Sequence, residues 1–170
     1  MIRKRLIFMD AQFTKLETEG LDFLSLAFVT DSDSKLYLEL EQPRDSVDEW
    51  AKENVVPKLD GHPVSKEKAR ELILKFVDEH YDNYEKPTLI ADINSYVWLG
   101  LCRLFGVFDV PFHGIPLDFS TMLYMHSIDP EISREQLAWE YKVKVDGRKH
   151  HALYHAMLLK RLYERVVLGW

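Results

Sequence analysis

Apolar positions follow a strand period up to Leu40 and a mostly helical one from Gln42 onward. Arg5 to Met9 is an apolar run that ends on Asp10. Leu21 to Thr30 is a second run, rich in Leu, Phe and Val, and Lys35 to Leu40 alternates with one wetter face. The four polar residues Asp31 to Ser34 form a turn between the last two, which predicts a hairpin and, if sequence neighbours pair, a three-stranded meander. Beyond Gln42, Ser46 reads as an N-cap of a helix that runs to about Val56 before Pro57, with Val47, Trp50, Ala51 and Val55 inward. Lys58 to Pro63 is a loop. Ser65 then caps a helix whose Ala69, Leu72, Ile73, Phe76 and Val77 recur at spacings of three and four. Tyr81 to Pro87 is a turn-rich exit into a short strand, Thr88 to Ala91, which again ends on an acid, Asp92.

Ser95 to Leu104 is predicted helical with Gly106 as its stop, and Val107 to Val110 is a short strand before the loop Pro111 to Pro116. Leu117 to Met125 reads equally as a short helix or an extended segment. Ser133 begins another helix with Leu137 and Trp139 apolar, and Lys142 to Lys149 is polar. The last helix starts near His150 and runs to about Val167, with Leu153, Ala156, Leu159, Leu162 and Val166 as its stripe. The order of elements is α/β.

Length and charge narrow this picture. A chain of 170 residues fills one core well, so residues 1–170 are expected to be a single domain. The net charge of −6 argues against a wholesale nucleic-acid coat. A local basic groove could still form from Arg3, Lys4 and Arg5 with Lys142, Lys144, Arg148 and Lys149, although solvated surface is the commoner role of such residues. The one cysteine, Cys102, lies in an apolar helical pattern and fits a reducing, cytoplasmic setting. The basic start resembles a signal n-region, but Asp10 cuts the apolar run that follows, so neither a signal peptide nor a membrane span is expected.

Three places are candidates to converge at a sheet edge: Asp10 with Gln12, Asp92 with Asn94, and His150, His151 and His155. An acid at the carboxyl end of a buried strand is where open α/β sheets place their chemistry. Asp10 and Asp92 also have plain structural readings, as capping or turn residues. His151 and His155 are four apart, so on a helix they would share a face able to chelate zinc; helix-start and surface histidines are the alternative. Trp50, Trp98, Trp139 and Cys102 read as core. There is no Gly-rich phosphate loop, no nucleophile elbow and no Cys-rich metal pattern.

Three motifs carry a resemblance. The first strand ends Asp10-Ala11-Gln12-Phe13, a mid-chain helix opens Tyr96-Val97-Trp98-Leu99-Gly100, and the last helix opens His150-His151-Ala152-Leu153-Tyr154-His155-Ala156. Over nearly the whole chain this resembles the DEDDh group of ribonuclease-H-like 3′-5′ exonucleases, most closely its small bacterial and phage exoribonuclease-like branch. The family's motifs read Asp-x-Glu, then an aromatic-Asp pair, then His-x-Ala-Leu-x-Asp-Ala. The resemblance implies a ribonuclease-H-like fold: a mixed central sheet, with an N-terminal three-stranded meander plus parallel strands, flanked by helices. It also implies four acids holding two divalent cations, Mg²⁺ or Mn²⁺, and a histidine as general base. Asp10 and His150 stand at matching positions, while Gln12, Val97 and His155 replace the other three acids. Asp92 is a candidate substitute for the acid missing at Val97.

The resulting expectation is a catalytically degenerate exonuclease-like protein that binds a protein or a nucleic acid, with no cofactor or a single divalent cation (Mg²⁺ or Mn²⁺) on Asp10, Asp92 and His155. The alternative is an active metal-dependent 3′-5′ exonuclease with a rearranged centre. Expected partners are a protein or single-stranded RNA or DNA, with no membrane; a homodimer is left open.

Overall fold

The computed structural model describes residues 5–17, 20–81 and 85–170. Six strands form one sheet in the order β4-β3-β2-β1-β5-β6. β1 (Leu6–Phe13), β2 (Phe23–Thr30) and β3 (Lys35–Leu40) make the antiparallel meander, and β5 (Thr88–Ala91) lies parallel to β1. β6 (Leu117–Asp118) adds in parallel beside β5, and β4 (Pro63–Val64) beside β3. The helices are α1 (Glu49–Asn54), α2 (Lys66–His80), α3 (Asn94–Phe105), α4 (Phe119–Met125), α5 (Arg134–Glu140) and α6 (Ala152–Leu162), the last prolonged by a π-turn over Tyr163–Val167.

The alternation of β1 explains the two layers. Ile7, Met9 and Ala11 point to one face, where they meet Ile73, Phe76 and Val77 of α2 and Leu101 and Leu104 of α3. Leu6 and Phe8 point to the other, against Phe119 of α4, Leu137 of α5 and Ala156, Leu159 and Leu162 of α6. β2 is buried along its whole length because helices cover both its sides. Lys160 is buried in the apolar stripe of α6 at 2% exposure, and its ammonium is satisfied by Asp31 O (2.9 Å), Asp33 Oδ1 (2.7 Å) and Glu164 Oε1 (3.4 Å). It ties α6 to the β2–β3 turn.

Several sequence expectations change here. β1 continues to Phe13 because Gln12 and Phe13 still pair with β2, with a register shift between them. The first helix starts at Glu49, capped by Asp48 accepting from Ala51 N–H, so Ala51 and Val55 face inward and Trp50 is left 55% exposed. Leu117 to Met125 divides into β6 and α4. Val107 to Val110 is a turn, since Gly106 (φ 97°) ends α3 and accepts from Asp109 N–H. Leu137 and Ala138 turn inward from α5, which leaves Trp139 80% exposed rather than in the core. β4, a two-residue edge strand, has no signal in the sequence. Residues 82–84 of the Tyr81 to Pro87 exit lie outside the described residues. Among the described residues no helix is long and apolar enough to cross a membrane.

Candidate functional site

The site follows from where strands stop. Pairing between β1 and β5 ends at Met9 with Ala91, one residue before Asp10 and Asp92. Both acids therefore sit at the notch where β5 ends and β1 continues beside β2 alone. Asp10 and Gln12 project on the side of Phe8, and Asp92 on that of Ile90, which is the face packed by α6. A cleft of about 380 Å³ opens at this notch; Asp10, Gln12, Asp92 and Val97 line it, with Trp50 and Tyr96.

Each polar group is already engaged. Gln12 donates through Nε2 to Asp10 Oδ2 at 3.0 Å. Burial pushes the Asp10 carboxyl from the ordinary 3.8 up to about 8, against the opposing Gln12 bond and with a further push from the charge of Asp92. Asp92 is held by a bidentate guanidinium, Arg134 Nε to Oδ2 at 2.7 Å and Nη2 to Oδ1 at 2.7 Å, and Ser120 Oγ donates to Oδ1 at 2.9 Å. Arg134 also has its guanidinium carbon 5.4 Å from the centre of the Phe119 ring. This pair completes the charge of Asp92 from within the chain.

The histidines separate rather than converge. His150 lies outside α6 in the left-handed region (φ 64°), and its backbone N–H donates to His155 Nε2 at 3.0 Å. That bond fixes the His155 proton on Nδ1 and occupies the nitrogen a metal would take. Burial pushes His155 down to about 4, and it lowers His150 as well. His151 caps α6 instead of lying within it; its ring stacks on Tyr37 at 4.3 Å and faces Asp60 Oδ2 at 3.5 Å. The His151–His155 chelating face expected from their spacing is not formed. Val97 is 4% exposed and packs into the α2–α3 core layer, so the mid-chain position brings no ligand to the cleft.

The residues do not fit a divalent centre of the family's kind. Among the described residues no group of three or more His, Cys, Asp or Glu is placed to hold a metal ion. Among the described residues none of the basic side chains that could have formed a groove lines this cleft, in keeping with the commoner role of solvated surface. Arg5 stands at the opposite end of β1 from Asp10, Arg148 pairs with Asp60 (2.5 Å) and Lys149 lies 3.8 Å from Glu135. Arg3 and Lys4 lie outside the described residues.

Arg134 has no signature in its own neighbourhood except one. It opens α5 directly after the Ser133 cap, and a cation at a helix N-terminus is disfavoured unless an acid holds it. Ile93 is a second residue the sequence conceals. It adopts φ 48°, ψ 58° at the mouth of the cleft, a conformation that a β-branched side chain rarely takes.

No protein-family model matches the chain, and no curated protein matches it in sequence. Solved structures do match its architecture. A full-length 3′-exonuclease superposes with a TM-score of 0.74 at 11% identity, covering 98% of this chain and 61% of its own. A 3′-exonuclease described for 3′-end specific recognition of a histone mRNA stem-loop gives 0.71 at 9%, covering 98% and 64%. S. pombe Pop2p, in a form with Mg²⁺ and Mn²⁺ bound, gives 0.68 at 12%, covering 99% and 86%. The fold is that of the ribonuclease-H-like DEDD exonucleases. At this identity the likeness concerns architecture alone, and the chain spans less than two thirds of the length of the first of these structures.

Proposed function

We propose that the chain is a catalytically degenerate exonuclease-like protein, retained as a binding or regulatory module, with a protein as its partner. The observation that carries this reading is the internal neutralisation of the notch: Asp10 is capped by Gln12 and pushed up by burial, and Asp92 is matched by Arg134. Two-metal hydrolysis needs ionised acids facing a common point, where they hold the cations that activate water and stabilise the leaving oxygen. Here one acid is largely protonated at neutral pH and the other is saturated by a guanidinium. His155, at the position of the fourth acid, spends Nε2 on the His150 amide and so offers no ligand nitrogen there.

The motif resemblance supports descent from the small exoribonuclease-like branch, with the framework of each motif kept and its chemistry replaced. The net charge of −6 supports a protein partner over a nucleic acid, whose backbone is bound mainly through cations. The likeness to two 3′-exonucleases makes single-stranded RNA or DNA the alternative ligand.

The test is incubation of the pure protein with labelled single-stranded RNA and DNA in Mg²⁺ or Mn²⁺, alongside calorimetric metal titration of the wild type and Asp10→Ala. The expected result is intact substrate and no metal isotherm. Stepwise 3′ shortening that Asp10→Asn abolishes would sink the proposal in favour of an active, rearranged centre.

A further inference from the structure

The cleft at the notch has acquired features that a vestigial site does not need. Its walls include two aromatic rings that remain in contact with solvent, Trp50 at 55% and Tyr96 at 40% exposure. Trp50 is held edge-on against His150 at 5.3 Å, so its orientation is fixed from the α6 side. Three carboxyl groups, Asp10, Asp48 and Asp92, line the cleft against one ammonium, Lys15, which is paired with Glu17 at 2.8 Å. Two of the three have their needs met, Asp92 by Arg134 and Asp48 by the α1 amide it caps. Asp10 has only a neutral amide as its hydrogen-bond partner among the described residues.

Residues in sparsely populated backbone conformations gather at the same place. Ile93 lines the cleft at φ 48°, and His150, which holds Trp50, has φ 64°. Such strain, of order 1–3 kcal/mol per residue, concentrates at ligand clamps. The cleft volume of about 380 Å³ suits one side chain better than a stretch of polymer. Phosphate is disfavoured, since the cleft offers carboxyls and no unpaired cation among the described residues.

Resting on the reading of the chain as a binding module, we propose that this cleft receives an arginine side chain of a protein partner, its guanidinium stacked between aromatic rings and directed at Asp10. Arginine fits better than lysine: its planar fork stacks on Trp and Tyr faces and can bond Asp10 and the Gln12 carbonyl oxygen together. A guanidinium would give Asp10 what Arg134 gives Asp92.

The probes are N-acetyl-arginine amide and its neutral near-isostere N-acetyl-citrulline amide, titrated into the ¹⁵N-labelled full chain. The readouts are the Trp50 indole N–H and the Gln12 side-chain amide. Saturable arginine shifts at both are expected, with citrulline at least fivefold weaker and with at least fivefold loss in Asp10→Asn and in Trp50→Ala. Equal binding of citrulline, tighter binding of uridine monophosphate, shifts mapping elsewhere, or no shifts would each overturn the proposal. A parallel Mn²⁺ titration separates the two readings. Paramagnetic broadening centred on Gln12 and Asp92 would overturn the internally neutralised notch that carries the binding-module reading, whereas failed arginine binding without broadening overturns only the arginine site.

Discussion

Replacing Asp10 with asparagine should stabilise the protein, and increasingly so as pH rises. The substitution keeps size and shape, and the new amide oxygen can still accept from Gln12 Nε2. In the unfolded chain the carboxyl titrates at its ordinary 3.8, while in the fold burial holds it protonated up to about 8. A folded-state pKa above the unfolded one means that stability is present at low pH and is lost as pH rises through this window. Each pH unit is worth about 1.4 kcal/mol, so pH 5 to 8 would cost the wild type roughly 4 kcal/mol relative to Asp10→Asn. Residual solvent contact at Asp10 lowers that to about 2–4 kcal/mol. For a domain of this size the difference corresponds to a gap in Tm that widens by roughly 5–15 °C. Urea or thermal denaturation of both proteins at pH 5 and 8 reads it directly, and the comparison cancels the carboxylates held below their usual range, Asp33, Asp60 and Glu67. Parallel pH profiles would mean that Asp10 is ionised throughout, and the argument for a neutralised notch would fail.

Arg134→Met should destabilise by about 2–4 kcal/mol in urea denaturation, because it leaves the partly buried Asp92 carboxylate with Ser120 alone; the double variant with Asp92→Asn should recover much of the loss. Gly100→Ala should cost about 1–3 kcal/mol by the same measurement, since a methyl there would lie 2.7 Å from Phe23 Cε1. Glu39 is buried and accepts from the amides of Asp60, Gly61 and His62 and from Tyr37 Oη. Glu39→Gln should therefore speed amide exchange at residues 60–62 while most of β1 and β2 stays protected, with a stability loss of about 1–3 kcal/mol.

The Asp10 and Arg134 variants address opposite halves of one arrangement, and only one half was legible in the chain. Gln12, Val97 and His155 stand where the motifs of the resembled family carry acids, so their replacement is visible in the sequence only through that resemblance. The meander, the N-caps at Ser65 and Ser133 and the stop at Gly106 are legible for a local reason: each depends on residues within one turn or one strand. Trp50 and Trp139 mislead because a shift of helix start, or the short length of α5, decides which side of a helix faces inward.

Asp10 at a strand's end, with Gln12 beside it, is a property of the sequence. Burial in the folded chain keeps that lone acid neutral, and what satisfies Asp92 is Arg134, which lies 42 residues beyond it and reaches it through the packing of α5 against the sheet. The same holds for His155, whose Nε2 is taken by the backbone amide of His150, itself in a left-handed conformation. Local chemistry is written in neighbouring residues. The charge balance of a buried site is a sum over groups that only the folded chain brings together, because desolvation and Coulomb interaction depend on distance in space and not on separation along the chain.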